Sequence, residues 1–136
     1  MPRFLEPIAS VDTPMLINSR SGKSVASSVE IATTRTQRRR GLLGRDGLCA
    51  GSAFVLAPCR AVHTIGMRFP IDVIFVDDEG QVVKLVEHLE GWRMAMAGSA
   101  AITIELWAGA LKAVDVHVGD RLCLAPAFVD GLARTA

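Results

Sequence analysis

A thiol and an imidazole stand four residues apart in "CRAVHTIGMRFPIDVIF", as Cys59 and His63, and an acid, Asp72, follows inside an apolar run. A cysteine deprotonated by a neighbouring imidazole, with a carboxylate orienting the ring, is the chemistry of covalent hydrolysis. An i, i+4 pair shares a face on a helix. Pro58, Gly66 and Pro70 argue against a helix here. On a strand the two residues share a face but stand about 13 Å apart, too far for a hydrogen bond. Paired carboxylates offer a second hydrolytic route, with Asp72, Glu105 and Asp120 as the acids. Nothing in the sequence states their separation. Metal binding would have to draw on Cys59, His63, His88, His117 and two aspartates. No H-E-x-x-H, H-x-H or C-x-x-C spacing organises them, so no metal and no cofactor is expected.

Binding demands less of the same stretch. The His63–Met67 loop carries an imidazole, the Thr64 hydroxyl, a glycine at Gly66 and a flexible Met67. Arg38, Arg45 and Arg68 can add positive charge beside it. This composition suits a small polar or anionic ligand, or an extended peptide, held in a polar groove. The alternatives are an interaction domain using an exposed patch around Trp92, Met94 and Met96, or a hydrolase built on Cys59 and His63 or on the carboxylates. The balance favours binding over catalysis.

Bulk composition narrows the choice. The 136 residues suffice for one domain with one sizeable core. Half are hydrophobic and mean hydropathy is +0.33, as in a folded globule. Fifteen basic and fourteen acidic side chains leave a net charge of +1, too little to recruit nucleic acid by field alone. Five arginines do lie between Arg35 and Arg45, with no acid among them. With seven aromatics in the whole chain and no tyrosine, base stacking has little to work with. The run reads as a solvated helix face, with one or two arginines folded inward against a carboxylate. "GKS" at 22–24 resembles the end of a phosphate loop, but Ile17 stands where the first glycine belongs. No apolar run reaches about 18 residues, so no membrane span is expected. "MPRFLEPIASVDTP" lacks the apolar core of a signal peptide, which points to the cytoplasm. Cys49, Cys59 and Cys123 read as free thiols, with a Cys49–Cys59 disulfide as the alternative for an exported chain.

The elements that must position these residues are short strands. Residues 1–13 read as a flexible arm, 14–127 as a single β domain and 128–136 as a tail. "MLIN" and "SVASSVEIATT" flank the turn "SRSGK" as a hairpin. Thr33 or Thr34 caps a short helix near 34–43 that Gly44 closes. "SAFVLAP" is a strand. "PIDVIFVD" is a strand covered on both faces, joined to "QVVKLVEHL" through the turn "DDEG". "AITIELW" alternates and reads as half-buried, with Thr103 and Glu105 on the polar side. Residues near 108–115 form one or two helical turns and "RLCLAP" a last strand. The sum is mainly β: a compact, mostly antiparallel sandwich or barrel with two or three short helices. Asp72, with apolar neighbours on both faces, is expected at least half buried and paired. Its partners would be an arginine of 38–45 or the amides of the Thr64–Met67 turn, and its role that of holding the loop.

"RRRGLLGRDGL" (38–48), "HTIGMRFPIDVIFVDDEGQVV" (63–83) and "ELWAGALKAVDVHVGDRL" (105–122), in this order, resemble the domain-of-unknown-function 192 family over residues 15–125. The matching positions are Arg38, Gly41, Leu42, Arg45, Pro70, Asp72, Phe75, Gly109, Gly119 and Asp120. The resemblance implies a compact mainly β fold and does not imply an activity. Many members carry an export signal. Many also have W-M-K-N-T where this chain has His63–Met67, so no role of that tryptophan transfers.

Overall fold

The computed structural model describes residues 3–8 and 14–126. The tail expected over 128–136, and residues 1, 2 and 9–13 of the expected arm, lie outside the described residues. Within that arm Arg3–Ile8 forms a 3-10 helix, and Phe4 and Leu5 are buried in the core.

Three sheets stack in layers. The middle one holds five strands: β3 (Ser28–Ala32), β4 (Ser52–Leu56), β6 (Ile71–Val76), β7 (Val82–Leu89) and β9 (Ile102–Trp107). Their order is β3-β4-β9-β6-β7. One face is covered by β1 (Pro14–Asn18), β2 (Ser24–Ala26) and β10 (Leu122–Pro126), paired in the order β10-β1-β2, and by helix α2 (Ala110–Ala113). Leu16, Ile74, Ile104, Leu106 and Leu122 pack in this first core. The opposite face is covered by the pair β5 (Ala61–His63) and β8 (Met94–Met96), near helix α1 (Arg35–Arg40). Leu42, Phe54, Val62, Val73 and Phe75 pack there in a second core. The chain is therefore mainly β, with two short α-helices among the described residues, and the described sheets do not close into a barrel. One pairing, β3 with β4, is parallel; the other strand pairs are antiparallel.

Local chemistry explains the joints. The β6–β7 hairpin turns where Asp77 Oδ1 accepts from the amides of Glu79 and Gln81, both at 2.9 Å. Gly80 completes that turn at φ +93°, where a Cβ would stand 2.4 Å from the Leu122 carbonyl oxygen. α1 opens on a capping box: Thr34 Oγ1 accepts from Gln37 N, and Gln37 Oε1 accepts from Thr34 N, both at 3.1 Å.

Four expectations change. α1 ends at Gly41 (φ +49°) rather than at Gly44, because the Gly41 amide already closes on the Gln37 carbonyl. "SVASSVEIATT" is two strands that break at Ser27, so one part pairs with β1 and the other joins the middle sheet. β9 is not half-buried. Both its faces are covered, and Thr103 and Glu105 are enclosed with their apolar neighbours. Asp72 is fully buried and bonded, as expected, but by other partners. Its Oδ1 accepts from the His88 amide at 2.8 Å and its Oδ2 from the Leu111 amide at 2.9 Å. β7 bulges opposite Asp72 and turns His88 to φ +51°. Leu111 lies in the first turn of α2, whose amides lack partners inside the helix. The carboxylate ties a bulge and a helix start to β6, not the 63–67 loop.

Candidate functional site

A concavity of about 330 Å³ opens between α1 with its following turn and β5. Arg35, Arg38, Arg39 and Arg40 of α1 stand on one side, with Gly41–Leu43 continuing the wall. Ala61, Val62 and His63 of β5 stand on the other, with Cys59 and Met67. Leu56 and Glu105 come from the middle sheet.

α1 supplies the charge because its six residues, RTQRRR, contain no acid and bury none of their side chains. Arg38 is partly anchored, its Nη1 donating to the Thr33 carbonyl and, at 3.4 Å, to the Ala57 carbonyl. Among the described residues none of Arg35, Arg38, Arg39 and Arg40 makes an ion pair. Arg45, just beyond the helix, is different. It binds Glu30 through two nitrogens at 3.1 and 2.8 Å and lies 5.3 Å from the centre of the Phe54 ring. The expectation that one arginine of the run folds onto a carboxylate is met there. Its guanidinium holds the Glu30 carboxyl below the usual range.

Glu105 is the unusual member. The register of β9 sets it beside Phe54 of β4 and Val73 of β6, so it points into the second core. It is 3% exposed. Burial pushes its carboxyl up to about 7, and the Arg45 charge opposes this only in part.

The expected site residues separate into two groups. His63, Met67 and Arg38 line the cleft. Thr64, Gly66, Arg45 and Asp72 do not. Thr64 is fully buried; its hydroxyl donates to the Glu90 carbonyl and accepts from the Arg93 amide at 2.9 Å. It pins the loop to the segment between β7 and β8. Gly66 (φ +81°) packs the loop against Leu43. Arg45 lines a separate groove of about 260 Å³ with Glu30 and Phe54. Arg68 pairs with Asp46 at 2.8 Å. Asp72 faces the first core, on the other side of the sheet.

Among the described residues no hydrogen bond joins Cys59 to His63 or to a carboxylate. Cys59 donates its thiol to the Ala61 carbonyl at 3.1 Å. Asp72 and Glu105 point to opposite faces. Asp120 accepts from Arg20 Nε at 2.7 Å, Asn18 Nδ2 at 2.8 Å and the His117 amide at 2.8 Å, and the Arg20 guanidinium holds it far below the usual carboxylate range. Among the described residues no three His, Cys, Asp or Glu side chains form a group able to hold a metal ion. No helix of the described residues is long and apolar enough to cross a membrane. Sequence reasoning missed Arg35, Arg39 and Arg40 as lining residues and weighed Glu105 only as one acid among three. The available signal was an acid flanked by Ile104, Leu106 and Trp107 in a strand with apolar residues on both sides.

The fold has solved counterparts. A candidate transcription regulator from Sinorhizobium meliloti 1021 superposes with a TM-score of 0.73 at 23% identity, covering 85% of this chain and 96% of that one. A protein of unknown function from Novosphingobium aromaticivorans gives 0.71 at 19% identity, covering 86% and 89%. In sequence, the UPF0127 protein of Thermococcus sibiricus is 32% identical over 113 residues, 79% of this chain and 73% of the relative. That of Thermococcus kodakarensis is 32% identical over 117 residues, 82% and 74%. The family model described as "Uncharacterized ACR" matches residues 16–124, and the chain belongs to that family, domain of unknown function 192.

Proposed function

We propose that this chain is a small-ligand binding domain that receives an anion in the cleft between α1 and β5. The observation that carries the reading is the cationic rim: four arginines without ion-pair partners among the described residues, beside a cleft of about 330 Å³. That volume falls in the range of small-molecule sites. Leu42, Leu56 and Met67 supply apolar wall, and His63 a polar edge. Guanidinium groups bind carboxylate and phosphate through paired N–H donors.

The competing reading, an interaction domain, draws on Trp92, Met94 and Met96, which are 73%, 68% and 57% exposed. Met94 and Met96 pair with His63 and Ala61, so this patch adjoins the cleft. Exposure alone supports it, whereas the cleft combines shape with unpaired charge.

The test is calorimetry and thermal unfolding with inorganic phosphate and with sulfate at two ionic strengths. Binding that stabilises the fold and weakens with salt is expected. Absence of any effect at millimolar anion overturns the reading.

A further inference from the structure

Among the described residues six polar or charged side chains are buried: Asn18, Thr64, Asp72, Thr103, Glu105 and Asp120. Five are held by the protein itself. Asn18 donates to Asp120, Thr64 to the Glu90 carbonyl and Thr103 to the Cys59 carbonyl, while Asp72 accepts from two amides and Asp120 from Arg20. Glu105 takes no hydrogen bond from the described residues. Among the described residues no fully enclosed side-chain nitrogen or oxygen lacks a partner, so the unbonded Glu105 carboxylate opens onto the cleft it lines.

A carboxylate buried without a partner costs several kcal/mol if it stays ionised. The fold gains nothing from it: an apolar residue at that register would pack among Phe54, Leu56 and Val73 without the cost. It lines a cleft whose helix side is cationic. The cleft therefore offers groups complementary to both signs of charge.

Resting on the anion reading above, we propose that the ligand is a small zwitterion: its anionic group meets the α1 arginines and an ammonium, or an equivalent cationic donor, reaches Glu105. An ionised carboxylate only accepts hydrogen bonds, so the group that satisfies it must donate. A simple anion would leave Glu105 unsatisfied and bring a second negative charge towards it. An amine-bearing anion satisfies both groups at once. Glu105 then sets specificity, and the arginines set the requirement for an anion.

The test compares phosphoethanolamine with n-propyl phosphate, which has nearly the same shape and replaces the ammonium by a methyl group. Isothermal titration on the wild-type chain at pH 7.5 is expected to show phosphoethanolamine binding about tenfold tighter or more, the value of one charge-assisted hydrogen bond. In Glu105→Gln, checked for folding by circular dichroism, the two ligands are expected to bind alike. Equal affinities on the wild-type chain overturn the inference and leave the anion site standing. A preference that survives in Glu105→Gln also overturns it, because another group then reads the ammonium. Failure of both phosphates to bind the wild-type chain overturns the anion reading and this inference together. The wild-type comparison decides the matter even if the variant does not fold.

Discussion

Asp72 and Glu105 sit on adjacent central strands, one residue apart across the β6–β9 register, where Asp72 faces Leu106 and Val73 faces Glu105. Both are almost completely enclosed. They point to opposite faces of the same sheet and meet opposite conditions. Asp72 finds two backbone amides that the fold itself leaves open, one at the β7 bulge and one at the start of α2. Glu105 finds apolar side chains and the wall of a cleft. An acid that completes backbone hydrogen bonding is explained by the fold. An acid that completes nothing is explained only by what enters from outside.

The largest expected effect breaks the first half of this comparison. Asp72→Ala strands two buried amides and should destabilise by about 2–5 kcal/mol, read from urea unfolding. Asp72→Asn keeps one acceptor oxygen but turns an NH₂ towards the second amide, so it should fall between alanine and wild type. An alanine variant that unfolds at the wild-type urea concentration would refute the structural role.

Glu105→Gln should move stability the other way at neutral pH. The carboxyl has its ordinary value near 4.5 when unfolded and about 7 when folded. Between these values the unfolded chain releases its proton while the native chain keeps it, so wild-type stability falls as pH rises from 4.5 to 7. The loss approaches about 3 kcal/mol above that window, at about 1.4 kcal/mol per unit. The variant lacks this slope and should be the more stable protein at pH 8, with the two converging near pH 4. Arg45, the four α1 arginines, His63 and Cys59 are the titratable or charged groups around this end of the sheet, and the difference between variant and wild type isolates Glu105 from them. Asp120 contributes at another pH: the Arg20 guanidinium lowers its carboxyl, so that stabilisation is present above pH 3.8 and lost in stronger acid. Parallel pH profiles for wild type and Glu105→Gln would refute the assignment.

Thr64 tests whether the loop beside the cleft is held by the protein or by a ligand. Its hydroxyl bridges the Glu90 carbonyl and the Arg93 amide. Thr64→Val keeps the shape and should cost about 1–2 kcal/mol by thermal unfolding, without changing anion affinity directly. A variant that loses anion binding while retaining wild-type stability would place Thr64 in the site after all.

The two acids also show what the sequence makes legible. Burial of Asp72 follows from local pattern, because apolar residues on both sides of "PIDVIFV" leave it no polar face. Its partners do not follow, since they lie 16 and 39 residues away and depend on a bulge and on where α2 docks. The β6–β7 hairpin and the Thr34 cap are legible because turn and cap chemistry is local. Glu105 is misread for a physical reason. Alternation reports which residues share a face, not whether that face is covered. The cover here is α1 and the β5–β8 pair, elements remote in sequence from β9. His63, Met67 and Arg38 meet at the cleft for the same nonlocal reason, whereas the 63–67 loop alone suggested Thr64 and Gly66 as well.

The smallest effect on stability should be the largest on binding. Arg35, Arg39 and Arg40 are exposed on a helix that buries no side chain. Replacing each by alanine keeps helix propensity high and removes no packing, so each change should alter stability by no more than about 0.5 kcal/mol. If the rim binds an anion, the triple variant should lose the stabilisation that phosphate gives the wild-type chain, because that stabilisation scales with occupancy of the folded state alone. Arg45→Ala is the contrast. Its guanidinium is already engaged by Glu30 and stands over Phe54 in another groove, so phosphate should stabilise that variant as it does the wild type. Thermal unfolding with and without phosphate on the two variants reads both outcomes. Equal phosphate response in the triple variant and wild type would mean that the cationic rim is only a solvated helix face, and Glu105 would then be a buried acid without a ligand to explain it.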